Sequence, residues 1–173
     1  MFNDQLLPAN EILEHARSAA RALTEDSDAM RTGLGSADAN KPVLVQNLDE
    51  KDSLYYIVNF TRGGRDTARV ALDAKTGELL EASIIDTDHD SLPPYVAPTE
   101  MLERVLADAD RYAAALRFRG RRNLIGQHPV LVWRACMESS SPFLPFYQFS
   151  IGDSFVYYRV DGLRCYQLTV APA

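Results

Sequence analysis

"PVLV", Pro42–Val45, recurs letter for letter at Pro129–Val132, and this repetition decides how the rest of the chain is read. Each copy follows a helix-like segment and a loop, and each precedes strand-like runs. A shared order of elements around a repeated motif marks a duplicated unit.

Around the first copy, Asn10 stands where a helix cap belongs, and Ile12, Leu13, Ala16, Ala20 and Leu23 follow at helical spacing. The stretch Thr24–Asn40, rich in Gly, Ser, Asp and Ala, reads as a connector. In "LYYIVNF" (Leu54–Phe60), Tyr56, Val58 and Phe60 fall on one side of a strand. "TARVALDAKTGELLEASI" (Thr67–Ile84) is a hairpin in which Ala68, Val70 and Leu72 alternate with Thr67, Arg69 and Ala71. Its turn runs through Asp73–Gly77, after which Leu80, Ala82 and Ile84 alternate with Glu81 and Ser83. That alternation predicts a sheet buried on one face only.

Around the second copy, "IIDTDHDSLPPYVAP" (Ile84–Pro98) reads as a link stiffened by Pro93, Pro94 and Pro98. Thr99 can cap a helix with an apolar stripe of Met101, Leu102, Val105, Leu106, Ala109, Tyr112, Ala113 and Leu116, with Gly120 as its stop. "YQFSI" (Tyr147–Ile151) and "FVYYRVDGLRCYQLTV" (Phe155–Val170) follow, the latter a hairpin turning at Asp161–Gly162. This hairpin is apolar on both faces: Val156, Tyr158 and Val160 on one, Phe155, Tyr157, Tyr166 and Leu168 on the other. A sheet of that kind needs cover on both sides, from its own helix and from the first unit, a second subunit or a ligand.

The two copies differ in length. Pro42 matches Pro129 at an offset of 87, whereas Tyr56, Val58 and Phe60 match Tyr147, Phe149 and Ile151 at 91, so four residues are added between Val132 and Tyr147. The added material lies in "SSSPFLPFYQF" (Ser139–Phe149). Tyr147 and Phe149 become core strand positions, while the Pro-bracketed part is predicted to protrude or cover a sheet edge.

The fold class expected is α+β: two tandem helix-plus-antiparallel-sheet units forming one pseudo-symmetric body, with residues 8–86 and 99–173 as the units and 87–98 as the linker. The rival is a single cone-shaped fold of the cystatin or nuclear-transport-factor type. Within the first unit, Val70, Asp73, Ala74, Thr76, Gly77, Glu78, Leu79 and Leu80 resemble the recurrent hairpin of PepSY-like modules, over roughly Lys41–Ile85. The resemblance implies a helix packed on a small antiparallel sheet and a non-catalytic binding or inhibitory role, often outside the cytoplasm. The second unit keeps the strand pattern without the turn motif.

The chain has 173 residues, enough to bury about 70% of its unfolded surface without disulfide or metal support. A net charge of -6 argues against broad nucleic-acid or anionic-membrane binding. The opening "MFNDQLLPANEI" has no basic segment followed by an apolar one, and no apolar run approaches the roughly 20 residues of a membrane span. With Cys136 and Cys165 as the only cysteines, the expectation is a cytoplasmic protein with reduced thiols.

No catalytic constellation stands out, and neither a cofactor nor a metal is implied. His128 and Cys136 flank a predicted strand but lack an orienting partner and a cysteine-protease motif. "DTDHD" (Asp86–Asp90) lacks the Gly and distant Glu of a calcium loop. The leading reading is therefore a non-catalytic protein that engages a protein or peptide partner, as an inhibitor- or immunity-like module or a homodimer. Its contacts would be Phe143, Leu144, Phe146 and Trp133. Arg117, Arg119, Arg121 and Arg122 would meet an anion or acidic partner. The alternative is a small-molecule binder or enzyme with a pocket between sheet and helix, in which Arg134, Tyr147, Tyr157 and Tyr158 are the polar handles.

Overall fold

The computed structural model describes residues 6–50, 53–85, 95–108, 129–151, 154–165 and 168–169. Among these the chain is α+β, with three helices and nine strands. It divides into two units, Met1–Leu92 and Pro93–Ala173.

In the first unit, α1 spans Ala9–Asp26. Its cap position is Pro8 rather than Asn10, with no side-chain cap bond. Ile12, Ala16 and Ala20 form its buried face, as their spacing predicts. The expected connector holds a second helix, α2 (Asp28–Leu34). Ser27 caps it by accepting from the Met30 N–H at 3.4 Å, and Arg31 pairs with Asp28 at 2.7 Å. Gly33 lets α2 lie close against the sheet, where a Cβ would meet the Thr67 carbonyl oxygen at 3.2 Å. The small residues that suggested a loop are thus what allows the helix to pack.

Strands β2 (Val43–Asn47), β3 (Leu54–Arg62), β4 (Arg65–Asp73) and β5 (Leu79–Ile84) pair in sequence as an antiparallel meander. A short β1 (Asp38–Ala39) also pairs with β3, opposite Thr61 and Phe60. Pro42, which has no N–H to donate, lies in the break between β1 and β2. The β3–β4 turn is Gly63–Gly64, both at positive φ (59° and 78°), the geometry of primed hairpin turns. In the β4–β5 turn, Asp73 Oδ1 accepts from the N–H groups of Lys75 and Thr76, both at 2.8 Å. Gly77 sits there at φ 73°, and a Cβ would strike the His15 ring on α1 at 2.7 Å.

The register Tyr56↔Leu72, Val58↔Val70 and Phe60↔Ala68 puts these residues on one face. With Ile12, Ala16, Ala20 and Leu34 they form the helix–sheet core, which Tyr56 joins as a half-buried edge. The other face departs from the one-sided burial predicted above. Val45, Tyr55, Ile57, Arg69 and Ala71 are all buried there, Arg69 completely. Arg69 meets Asp66 at 3.2 Å. An arginine counts as polar in an alternating pattern, but a paired one can still be enclosed.

In the second unit, residues 95–97 lead into α3 (Pro98–Ala107). The cap is Ala97 rather than Thr99, because Pro98 opens the helix where no N–H is needed. The remainder of the expected stripe, from Ala109 to the stop at Gly120, lies outside the described residues. Strands β6 (Val130–Trp133), β7 (Phe146–Ile151), β8 (Ser154–Arg159) and β9 (Arg164–Cys165) again pair in sequence, all antiparallel. Met101 and Val105 of α3 pack on Tyr147, Phe149, Val156, Tyr158 and Val160. Phe149 and Tyr158 meet edge to face with centroids 6.4 Å apart. The tyrosine hydroxyls leave this core toward polar partners: Tyr147 donates to the Val96 carbonyl at 3.0 Å and Tyr158 to Asp108 at 3.2 Å.

The Asp73 turn has a signature in pH. Burial raises its carboxyl, but the N–H groups of Thr76 and Lys75 outweigh that and hold it below the ordinary 3.8. A lowered folded value contributes stability above the unfolded value and loses it as pH falls through the folded one. Because this group is open to water, the contribution is well under about 1 kcal/mol. Asp73→Asn should lower stability by a few tenths of a kcal/mol from about pH 5 upward, and the gap should close below about pH 4. Urea melts of both proteins between pH 3 and 7 check this; a gap unchanged at pH 3 would assign the effect to shape rather than charge.

Candidate functional site

The residues expected to meet a partner are largely enclosed. Phe143 and Phe146 are 1% and 0% exposed, and Leu144 and Trp133 are half-buried, Leu144 against the α3 core. The segment between β6 and β7 does not protrude. Cys136 and Ser139 exchange backbone hydrogen bonds at 3.0 and 3.2 Å. The Ser139 hydroxyl lies within reach of the Ser141 and Leu144 carbonyls, and Tyr95 donates to the Phe143 carbonyl at 2.7 Å. Proline bars a segment from a ladder but not from burial, provided its carbonyls find donors.

The strongest of these ties comes from β8. Arg159 pairs across the sheet with Phe146, so both lie on the face away from α3. Its Nε and Nη2 donate to the two carboxylate oxygens of Asp161 at 2.9 and 2.7 Å, and its Nη1 donates to the Glu138 carbonyl. Burial raises the Asp161 carboxyl, yet the Arg159 fork outweighs it and holds the group below its usual range. Val132, Cys136 and Cys165 are buried along with Phe146. The loop of the unit itself therefore supplies part of the cover that an apolar second face requires.

The alternative pocket does not assemble around its expected handles. Tyr147 and Tyr158 belong to the α3-facing core, whereas Tyr157, one residue away, points to the opposite face and accepts from Gln148 at 3.2 Å. Arg134 is half-buried in the β6–β7 segment. Arg117, Arg119, Arg121, Arg122, His128 and Asp86–Asp90 lie outside the described residues. Cys136 is buried and its thiol is pushed up, chiefly by burial; Cys165 is pushed up to about 11 for the same reason. Those are the properties of inert thiols, not of an activated nucleophile.

A different concavity does lie between helix and sheet, in the first unit. Arg17 and Arg21, one turn apart on α1, form one rim, with Ala20 and Thr24 beside them. Leu34 and Phe60 line it from α2 and β3, and residues 35–39 form the opposite wall, with Ser36 and Asp38. The volume is about 320 Å³, at the small end of ligand pockets. Its polar lining consists of two guanidinium groups, the Asp38 carboxylate and the Thr24 and Ser36 hydroxyls. Glu14 and Glu25 are spaced to pair with Arg17 and Arg21 along the helix, yet no such ion pair forms among the described residues.

The sequence carried one signal of this groove: two arginines four residues apart on the shoulder of an apolar stripe. The wall facing them carries no such signal, because residues 35–39 have the composition of a connector.

Among the described residues no group of three His, Cys, Asp or Glu side chains could hold a metal, and no helix is long and apolar enough to cross a membrane. Comparison with known families, curated proteins and solved structures returns no match for this chain.

The Arg159 tie predicts a coupled effect. Arg159→Gln leaves a largely buried Asp161 without its cation, and should cost about 2 kcal/mol, below the range for fully buried pairs because both groups keep some access to water. With Glu138 released, Cys136 should become reactive toward a thiol reagent in the native protein at pH 8. Urea unfolding and thiol titration read the two effects; a destabilised variant whose thiols stay protected would show that the loop holds without Arg159.

Proposed function

We propose that this chain is a non-catalytic binding protein whose ligand seat is the groove between α1 and the sheet of the first unit. The observation that carries it is the pairing of an apolar lining, Leu34 and Phe60, with two guanidinium groups that have no ion-pair partner among the described residues. The reading keeps the expected pocket between helix and sheet but moves it from the second unit to the first.

The tandem architecture belongs to this proposal. The repeated motif falls in β2 and β6, and the pairings Leu44↔Tyr56 and Leu131↔Tyr147 occupy the same place in their meanders. Their offsets are those read from sequence, 87 for Leu44 to Leu131 and 91 for Tyr56 to Tyr147. This supports a duplicated PepSY-like unit in which one copy keeps an open groove. The second copy, with its longer β6–β7 loop, has become chiefly packing. Two free thiols support a reducing, cytoplasmic setting.

The test is a panel of small amphipathic compounds followed through backbone amide shifts. Saturable shifts should gather on Ala20, Thr24, residues 35–39 and Phe60, and Ser36→Trp, at an exposed position of the wall, should abolish them. Shifts that gather elsewhere, or that survive Ser36→Trp, would remove the groove as the seat.

A second reading retains a protein partner or a second copy of the chain. Phe155 and Val130 are 49% and 52% exposed on the sheet face away from α3, with Tyr157 and Gln148 beside them. Phe155→Ser should leave the fold intact and shift the sedimentation of any self-associated species to that of the monomer; a native protein that sediments as a monomer throughout removes the dimer.

A further inference from the structure

We infer that the groove of the first unit takes a small organic anion, a carboxylate or phosphate head on a short apolar body, rather than a neutral or cationic compound. This rests on the groove being the ligand seat, and adds the chemistry of what it selects.

Charge decides the sign. Arg17 and Arg21 stand one helical turn apart on the same rim, like charges at a spacing that mildly destabilises a helix when nothing lies between them. The acidic neighbours that could neutralise them along α1 leave them unpaired. Guanidinium forks match the two oxygens of a carboxylate or the three of a phosphate, and two forks a turn apart can share one such head. Ser36 adds a hydroxyl at the same opening, whereas the Thr24 hydroxyl donates to the Arg21 carbonyl at 2.7 Å.

The apolar lining decides the body. Ala20, Leu34 and Phe60 lie at the base, and each is also part of the helix–sheet core, so this surface is held rigid by packing on its far side. At about 30 Å³ per water-sized group, 320 Å³ holds on the order of ten non-hydrogen atoms. That limits the body to a short alkyl chain or a single aromatic ring.

Asp38 sets the orientation. It is the carboxylate on the opposite wall, and it forms no ion pair with either arginine among the described residues. An anionic head is therefore drawn to the α1 rim and repelled from the β1 wall, while a cationic head would be placed the other way round. Two arginines against one aspartate give the groove a net positive charge in an acidic protein.

The experiment titrates the full chain with octanoate, octyl phosphate, octanol and octylamine, following the amides of Ala20, Ala37 and Phe60. Octanoate or octyl phosphate should saturate with Kd on the order of 1 mM, as expected for about ten to thirteen atoms at modest efficiency. Arg17→Gln and Arg21→Gln, both at exposed positions, should each weaken that binding about threefold to fivefold, the upper part of the range for exposed charge pairs. Asp38→Asn should strengthen it by about the same factor. Which of octanoate and octyl phosphate binds tighter identifies the head group. Octanol binding as tightly as octanoate, unaffected by the arginine substitutions, would overturn the anion selectivity while leaving the groove as a seat. No shift at these amides with any of the four compounds would overturn both.

Discussion

Along an antiparallel strand, successive side chains alternate between two faces, and in this chain the register of β3 on β4 and of β7 on β8 fixes which face each helix meets. Slipping β3 by one residue would exchange Val58 and Phe60 for Ile57 and Asn59 on the α1 side. That would remove a phenylalanine from the core and place an amide in it. The turns hold this register. Gly63 and Gly64 supply two consecutive residues at positive φ, and the Asp73 carboxylate ties down two N–H groups of the next turn. Both devices are local, and the core depends on both.

The groove is a by-product of how that core is finished at one end. Ala20 is the last buried position of α1, and beyond it the helix runs on for another six residues. The chain then turns back through α2, so that residues 35–39 return toward β3 on the opposite side of Phe60. An alanine where a larger side chain would fit leaves a concavity instead of a packed edge. Arg17 and Arg21 lie on its helix side because they stand three residues before and one after Ala20, the spacing that places them on the shoulder of a buried stripe.

The second unit solves a harder packing problem. Its strands are apolar on both faces, and α3 covers one. On the other, Phe146, Val132 and Cys165 are buried, while Phe155 and Val130 remain half exposed. The boundary falls near Arg159, whose five N–H donors can serve a carboxylate and a carbonyl together and so pin a loop that contains two prolines. A lysine there could not hold Asp161 through two parallel bonds while reaching Glu138.

Much of the architecture was legible in the chain itself. The helical stripes, the strand alternation and the Asp73–Gly77 and Asp161–Gly162 turns depend on neighbours within a few residues, where periodicity and backbone preference act directly. The fate of side chains that can go either way was not legible. Arg69 reads as solvated and is enclosed, and Phe143 reads as presented and is enclosed. The sequence by itself determined the long helices, the meander strands and the helix-facing side of β3, β4, β7 and β8, because these follow from short-range geometry, whereas α2 and β1 lie in a stretch that reads as a connector. Only the tertiary structure decided which surface stays open, because burial of a proline-bracketed loop depends on a partner such as Arg159, brought to it by folding.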